Sequence, residues 1–216
     1  MTFLSNCYII ELRLSVSQFY IVKGESLMKL LEDKIRSEGR ILPGPILKVS
    51  SFLNHQMDPD LIMELGAEIA RRYADDNVSR ILTIESSGIA IALAVGAVMH
   101  VPVVFAKKHR SSNVFGEVYQ TPVHSYTHDT EYNVVVEREF LRSGDRILMV
   151  DDFLANGKAL EGLLDLIRQA GAVAVGAGIV IEKGFQNGGA LLREQGLRVE
   201  SLAIVEKMDE TGILFK

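Results

Sequence analysis

From Arg80 to Lys183 the chain alternates short apolar runs with stretches of helical periodicity, and this alternation limits the fold more than any other feature. "RILTIESSG" reads as a strand ending in small and polar residues. Gly88–Met99 follows, apolar nearly all round, as a buried helix would be. "VPVVFAKKH" is a second strand and Ile147–Asp152 a third. In the next segment Leu160, Leu163, Leu164 and Ile167 recur at i, i+3, i+4 and i+7, and "AVAVGAGIVIEK" returns to a strand pattern. Strand–helix–strand order predicts an α/β fold: a twisted, mostly parallel sheet with helices on both faces.

Ligands of such sheets sit at the carboxyl ends of the strands. Three strands end in Glu85-Ser86-Ser87-Gly88, Asp151-Asp152 and Glu182-Lys183, and a fourth ends in Lys107-Lys108. Parallel strands would bring all four groups to one edge.

Around this core, "DPDLIMELGAEIARRYADD" reads as a helix. Asp58 is its cap, Pro59 its first residue, and Leu61, Leu65, Ile69 and Tyr73 its buried stripe. The Gly/Pro-rich link before it holds Ile46, Leu47, Val49, Phe52 and Leu53, in a short strand or packed loop. Residues 109–130 are polar and weakly periodic, with the length and character of a mobile covering loop. Their histidines, His109, His124 and His128, read as surface residues without zinc-site spacing. Tyr132–Phe140 reads as a strand, Gly188–Gln195 as a short helix, and "RVESLAIVEKMD" and "GILF" as a closing strand pair. No repeat or interdomain linker interrupts residues 28–216, which read as one domain.

The chain has 216 residues and a formal net charge of −5. That balance argues against a broad nucleic-acid-binding face. A single cysteine, Cys7, excludes an intrachain disulfide and suits a cytoplasmic protein. No run reaches the ~18 apolar residues of a membrane span.

Residues 1–27 lack the basic start of a secretory signal. Met28 opens a helical pattern, and Lys23-Gly24-Glu25 can be encoded by AAA-GGA-GAA, a purine-rich ribosome-binding sequence. Residues 1–27 therefore read as translated leader with Met28 as the start; the other reading is an N-terminal element docked on the core.

The richest junction is "RILMVDDFLANGKALEGLLDLIRQAG", residues 146–171. Small residues at 155–157 let backbone amides approach an anion, and the following helix aims its positive end there. Asp151 and Asp152 accept hydrogen bonds, so vicinal hydroxyls or hydrated Mg²⁺ are natural partners. Together they describe a site for a ribose 5-phosphate. The residues alone equally allow an Asp pair beside an ordinary turn.

"ILMVDDFLANGKA" resembles the ribosyl-pyrophosphate motif of type I phosphoribosyltransferases. The resemblance runs from about Met28 to the end. It is most detailed for the xanthine-specific branch, through "ILKVSSFLNHQMDP", "TIESSGIA", "VPVVFAKKH", "DDFLANG" and "GIVIEKGFQ" in the same order. The wider family usually has Thr in the loop where this chain has Ala155 and Ala159; the xanthine branch shares the departure. The resemblance implies that fold with a small hood built from the N-terminal segment and the C-terminal region, and a homodimer. It also implies transfer of the 5-phosphoribosyl group of 5-phosphoribosyl 1-pyrophosphate (PRPP), with Mg²⁺, to N9 of xanthine, yielding xanthosine 5′-monophosphate (XMP).

By the same resemblance, Asp151 and Asp152 serve catalysis and Ala155, Asn156, Gly157, Lys158 and Ala159 bind PRPP. Glu85, Ser86, Ser87 and Gly88 bind pyrophosphate, with one of Lys107 and Lys108. Xanthine carries oxygens at C2 and C6 and needs donors: Lys183 suits that role, Phe185 can stack on the ring, and Leu47 and Asn54 line the purine site. Mg²⁺ rides on the substrate with no direct protein site. Two further readings remain: a phosphoribosyltransferase for hypoxanthine and guanine or for adenine, and a regulator of this fold that senses PRPP. The regulator reading lacks an added basic module.

Overall fold

In the computed structural model, residues 24–44, 46–108, 116–125 and 130–216 are described. The leader reading falls mostly on residues 1–23, which lie outside them. Helix α1, Gly24–Glu38, begins before Met28. Leu27 is buried and extends the Leu31–Ile35 stripe by one further turn.

A short hairpin follows, β1 (Arg40–Leu42) with β2 (Ile46–Lys48), paired antiparallel. Helix α2, Pro59–Arg72, starts where its residues dictate. Asp58 accepts a hydrogen bond from the Leu61 amide at 3.2 Å, and proline stands in the first turn. Its stripe Leu61, Leu65, Ile69 and Tyr73 is buried.

The main sheet has six strands: β3 (Arg80–Ile84), β4 (Val103–Ala106), β7 (Arg146–Leu154), β8 (Val173–Lys183), β9 (Val199–Asp209) and β10 (Gly212–Phe215). Their order is β10-β9-β8-β7-β3-β4; all pairs are parallel except β10 with β9. Strand β7 is central, and its alternation feeds two cores. Leu148 and Val150 pack with residues of α1, α2 and α3 (Gly88–Met99). Ile147 and Met149 pack on the other face with α4 (Lys158–Gln169), Leu192 of α5 (Gly188–Glu194), and a two-stranded ribbon, β5 (Val118–Ser125) with β6 (Thr130–Glu137).

Two features depart from the sequence reading. Residues 118–125 are not loop: they pair with β6 over eight positions. Their inward side chains, Thr121 and Val123, are buried on the α4 face, while exposed Gln120, Pro122 and His124 alternate with them. Residues 109–115 and 126–129, the rest of the expected covering loop with His109 and His128, lie outside the described residues. Helix α3 is apolar all round but not buried all round: Ile91, Ala92, Val95 and Gly96 are buried, whereas Leu93 is 62% exposed.

Candidate active site

The parallel order carries the ends of β3, β4, β7 and β8 to one edge, as the alternation predicted. Beyond β7 the chain makes a three-residue turn, Ala155 to Gly157, and enters α4. Gly157 has φ +81°, and no side chain caps the helix. The first amides of α4 have no acceptor within the helix, so they are available to an anion. Lys158 is drawn sideways, its ammonium 2.7 Å from Glu161. Ala159 packs half-buried against the second core.

The turn is backed by Gly188, the first residue of α5. A Cβ there would overlap the Ala155 carbonyl oxygen and meet the Asn156 carbonyl carbon and the Gly157 nitrogen at 2.5 Å. Sequence reading treated this glycine only as a helix start. Its close approach to a loop some thirty positions earlier is visible only in three dimensions.

Asp151 and Asp152 are 6% and 5% exposed. Successive strand residues face opposite ways, so the two acids have different surroundings. Asp152 is held by two donors: Ser87 Oγ at 2.9 Å and Asn54 Nδ2 at 3.2 Å. Asp151 accepts the Asp152 amide at 2.9 Å. On its side lie Thr83, whose buried hydroxyl has no partner among the described residues, and Gly88, where a Cβ would overlap Thr83 Oγ1 and stand 2.8 Å from Asp151 Oδ1. Burial raises the Asp151 pKa well above the ordinary carboxylate range, and the Asp152 charge adds to the rise; the Lys108 ammonium opposes it.

The turn after β3 presents Ser86 and Ser87 at the start of α3. Ser87 donates to Asp152 and does not cap α3, so no side chain covers its first amides, although that of Ile89 donates to the Ser86 carbonyl at 3.2 Å. Glu85 staples two strand ends: its Oε1 accepts from the Lys108 amide at 2.6 Å, and its amide donates to Ala106. The two lysines diverge, as alternation requires. Lys108 lies 5.7 Å from the Tyr132 ring centroid, on the Asp151 side. Lys107 lines an apolar cavity of about 270 Å³ with Phe105 and Phe140.

At the end of β8, Lys183 is half-buried with Nζ 5.7 Å from the Phe153 ring centroid; burial lowers its pKa. Phe153, which sequence reading passed over, thus shares this corner. Phe185 is 38% exposed in the following turn. Leu47 is buried in the first core, under the hairpin. Glu182, grouped with Lys183 as a strand-end acid, faces elsewhere: Arg193 holds it at 2.8 and 2.7 Å, and Ser201 donates to it. Burial raises its pKa, but these bonds outweigh burial and keep it lowered. It is a structural ion pair.

Among the described residues no group of three or more His, Cys, Asp or Glu could hold a metal ion. No helix among them is long and apolar enough to cross a membrane. Buried paired acids, two open helix N-termini and a half-buried lysine on one sheet edge can hold a polyhydroxylated, multiply phosphorylated ligand.

Comparison with known proteins agrees with this geometry. The phosphoribosyl transferase domain model matches residues 48–210. The chain is 54% identical over 182 residues to a protein named xanthine phosphoribosyltransferase from Lachnoclostridium phytofermentans, covering 84% of this chain and 94% of that one. It is 50% identical to the protein of that name from Heliobacterium modesticaldum, covering 87% and 100%. Its fold is similar to the adenine phosphoribosyltransferase of Giardia lamblia, with TM-score 0.69 and 20% identity over 82% of this chain and 98% of that one. The enzyme of that kind from Leishmania donovani gives 0.68 and 18%, over 86% and 82%. With the domain matched over most of its length and half its residues shared with such relatives, the chain belongs to the phosphoribosyltransferase family and has the type I fold.

Proposed function

We propose that the chain transfers the 5-phosphoribosyl group of PRPP to N9 of xanthine, forming XMP and releasing pyrophosphate. The observation that carries this reading is the buried Asp151–Asp152 pair beside an uncapped helix N-terminus, in a chain half identical to proteins named for that reaction.

The 5′-phosphate sits on the amides of residues 155–159, where negative charge meets the positive helix end. The ribose 2′- and 3′-hydroxyls donate to Asp151 and Asp152. Bond breaking at C1 runs ahead of bond making, so positive charge builds on the ribose ring, and the two carboxylates stabilise it electrostatically. They form no covalent bond. Pyrophosphate leaves toward Ser86, Ser87 and the open α3 amides, and Lys108 lies on the Asp151 flank.

Mg²⁺ suits this donor set: a hard cation that keeps mostly water and substrate oxygens needs no protein cage, and Asp151 and Asp152 offer oxygen ligands. When bound, it neutralises charge on the leaving pyrophosphate. Lys183 points a donor at N7 or an oxygen of xanthine and favours its anionic, more nucleophilic form. Asn54, Phe185 and Leu47 complete the base site from the hood and the β8 turn.

The enzyme works in the cytoplasm as a homodimer. Exposed Phe105 and Phe140, which line one apolar cavity, support the dimer, since such surface favours burial against a second copy. Product formation from PRPP with xanthine, hypoxanthine, guanine and adenine in competition tests the reading, with Mg²⁺ present and absent. Xanthine is consumed first; preferential consumption of another base overturns the assignment.

A further inference from the structure

A cavity of about 400 Å³ opens between the β2–α2 link and the turn that starts α3, lined by Lys48, Ser50, Asn54, His55, Ser86 and Ser87. Each of these side chains carries a hydrogen-bond donor at its tip. Two are basic, and no carboxylate is in the wall. Such a lining is complementary to an anion.

The cavity begins where the acid pair ends, because two of its walls, Asn54 and Ser87, hold Asp152. Strand β2 decides which side chain enters it. Leu47 turns into the core and Lys48 turns out. Neither Lys48 nor His55 is ion-paired with a carboxylate among the described residues. The strand-end lysines do not line this cavity: Lys108 lies on the Asp151 flank and Lys107 lines the apolar cavity.

We propose that Lys48 and His55 hold the pyrophosphate of PRPP from the hood side, opposite Ser86 and Ser87. The N-terminal hairpin then binds the donor substrate as well as the purine. This rests on the phosphoribosyl-transfer reading above. A group attached at C1 of a ribose whose hydroxyls engage Asp152 extends toward the cavity; the Lys48 ammonium supplies charge that serine hydroxyls and amides lack, and the His55 imidazole adds a donor.

Binding of Mg²⁺-pyrophosphate and of ribose 5-phosphate, each measured by calorimetry, tests the proposal. Lys48→Ala and His55→Ala each weaken pyrophosphate binding by about tenfold, as loss of a charge-assisted hydrogen bond does. They raise the PRPP KM in parallel. Ribose 5-phosphate binding stays within about twofold of wild type, because its phosphate contacts are elsewhere, which also shows that the variants are folded. Lys48→Arg restores pyrophosphate affinity. Unchanged pyrophosphate affinity in both alanine variants overturns the proposal while leaving phosphoribosyl transfer intact. A wild-type protein that binds neither ligand overturns both.

Discussion

Asn54 donates its side-chain amide to Asp152 at 3.2 Å across 98 positions of sequence. This bond joins the hood to the acid pair, so the element proposed to line the purine site also touches the residue proposed to hold the ribose. Ser87 shares the same carboxylate from the other side. The proposed base, ribose and pyrophosphate sites therefore meet at one buried side chain.

That coupling sets the first prediction. Asp151→Asn and Asp152→Asn keep shape and lose charge. Each lowers kcat by about 10²–10³-fold, the scale of losing one electrostatic contact to a transition state. Asp151→Asn relieves the repulsion within the pair, so its melting temperature holds or rises; Asp152→Asn keeps one oxygen for the two donors Ser87 and Asn54, so its stability falls far less than its rate. Steady-state rates and a thermal melt check both; near-normal rates in both variants contradict the role.

Asp151 also predicts a pH dependence. Its folded-state pKa is raised by burial and by Asp152, so the folded protein holds this proton more tightly than the unfolded chain. Its contribution to stability is complete below the ordinary carboxylate value of 3.8 and is lost as pH rises through the raised value. Wild type and Asp151→Asn should melt alike at the acid end of the folded range, and the variant should gain on wild type as pH rises. A gap that stays constant with pH contradicts the shift. Activity should move the other way, because the proposed role of the pair needs both carboxylates ionised.

Lys183→Ala removes the half-buried donor at the end of β8. Turnover of xanthine should fall by about 10²-fold relative to adenine, whose C6 amine offers Lys183 no acceptor, as expected when a polar contact to substrate is lost. Competition between the two bases reads the ratio directly. An unchanged ratio removes Lys183 from the base site.

Gly188→Ala tests the phosphate loop from behind. Its Cβ would overlap the Ala155 carbonyl oxygen, so residues 155–157 must shift. The PRPP KM should rise by about tenfold or more while the xanthine KM moves little, since misplacement of a loop is costly even without loss of a contact. Equal effects on both substrates contradict a local role.

Much of this fold was legible because its signals are local. Asp58 and Pro59 announce α2, and the strand–helix alternation places Asp151, Ser86, Lys107 and Lys183 on one edge before any contact is known. The ribbon was hidden because only alternate residues of β5 are buried, and Gln120, Pro122 and His124 mask Thr121 and Val123. For α3, uniform apolarity states a need for cover but not which face receives it, and Leu93 stays exposed. Glu182 looked like a site acid because its partner Arg193 lies on the following helix, and no spacing rule links them. Gly188 behind the phosphate loop and Asn54 on Asp152 are juxtapositions of distant segments, which carry no local signature.

The most direct test is to see where the nucleotide lies. A crystal structure of the protein with XMP and Mg²⁺-pyrophosphate should place the 5′-phosphate on the amides of residues 155–159 and both ribose hydroxyls on Asp151 and Asp152. Density for the nucleotide elsewhere, or acids left facing solvent beside a bound XMP, would contradict the account.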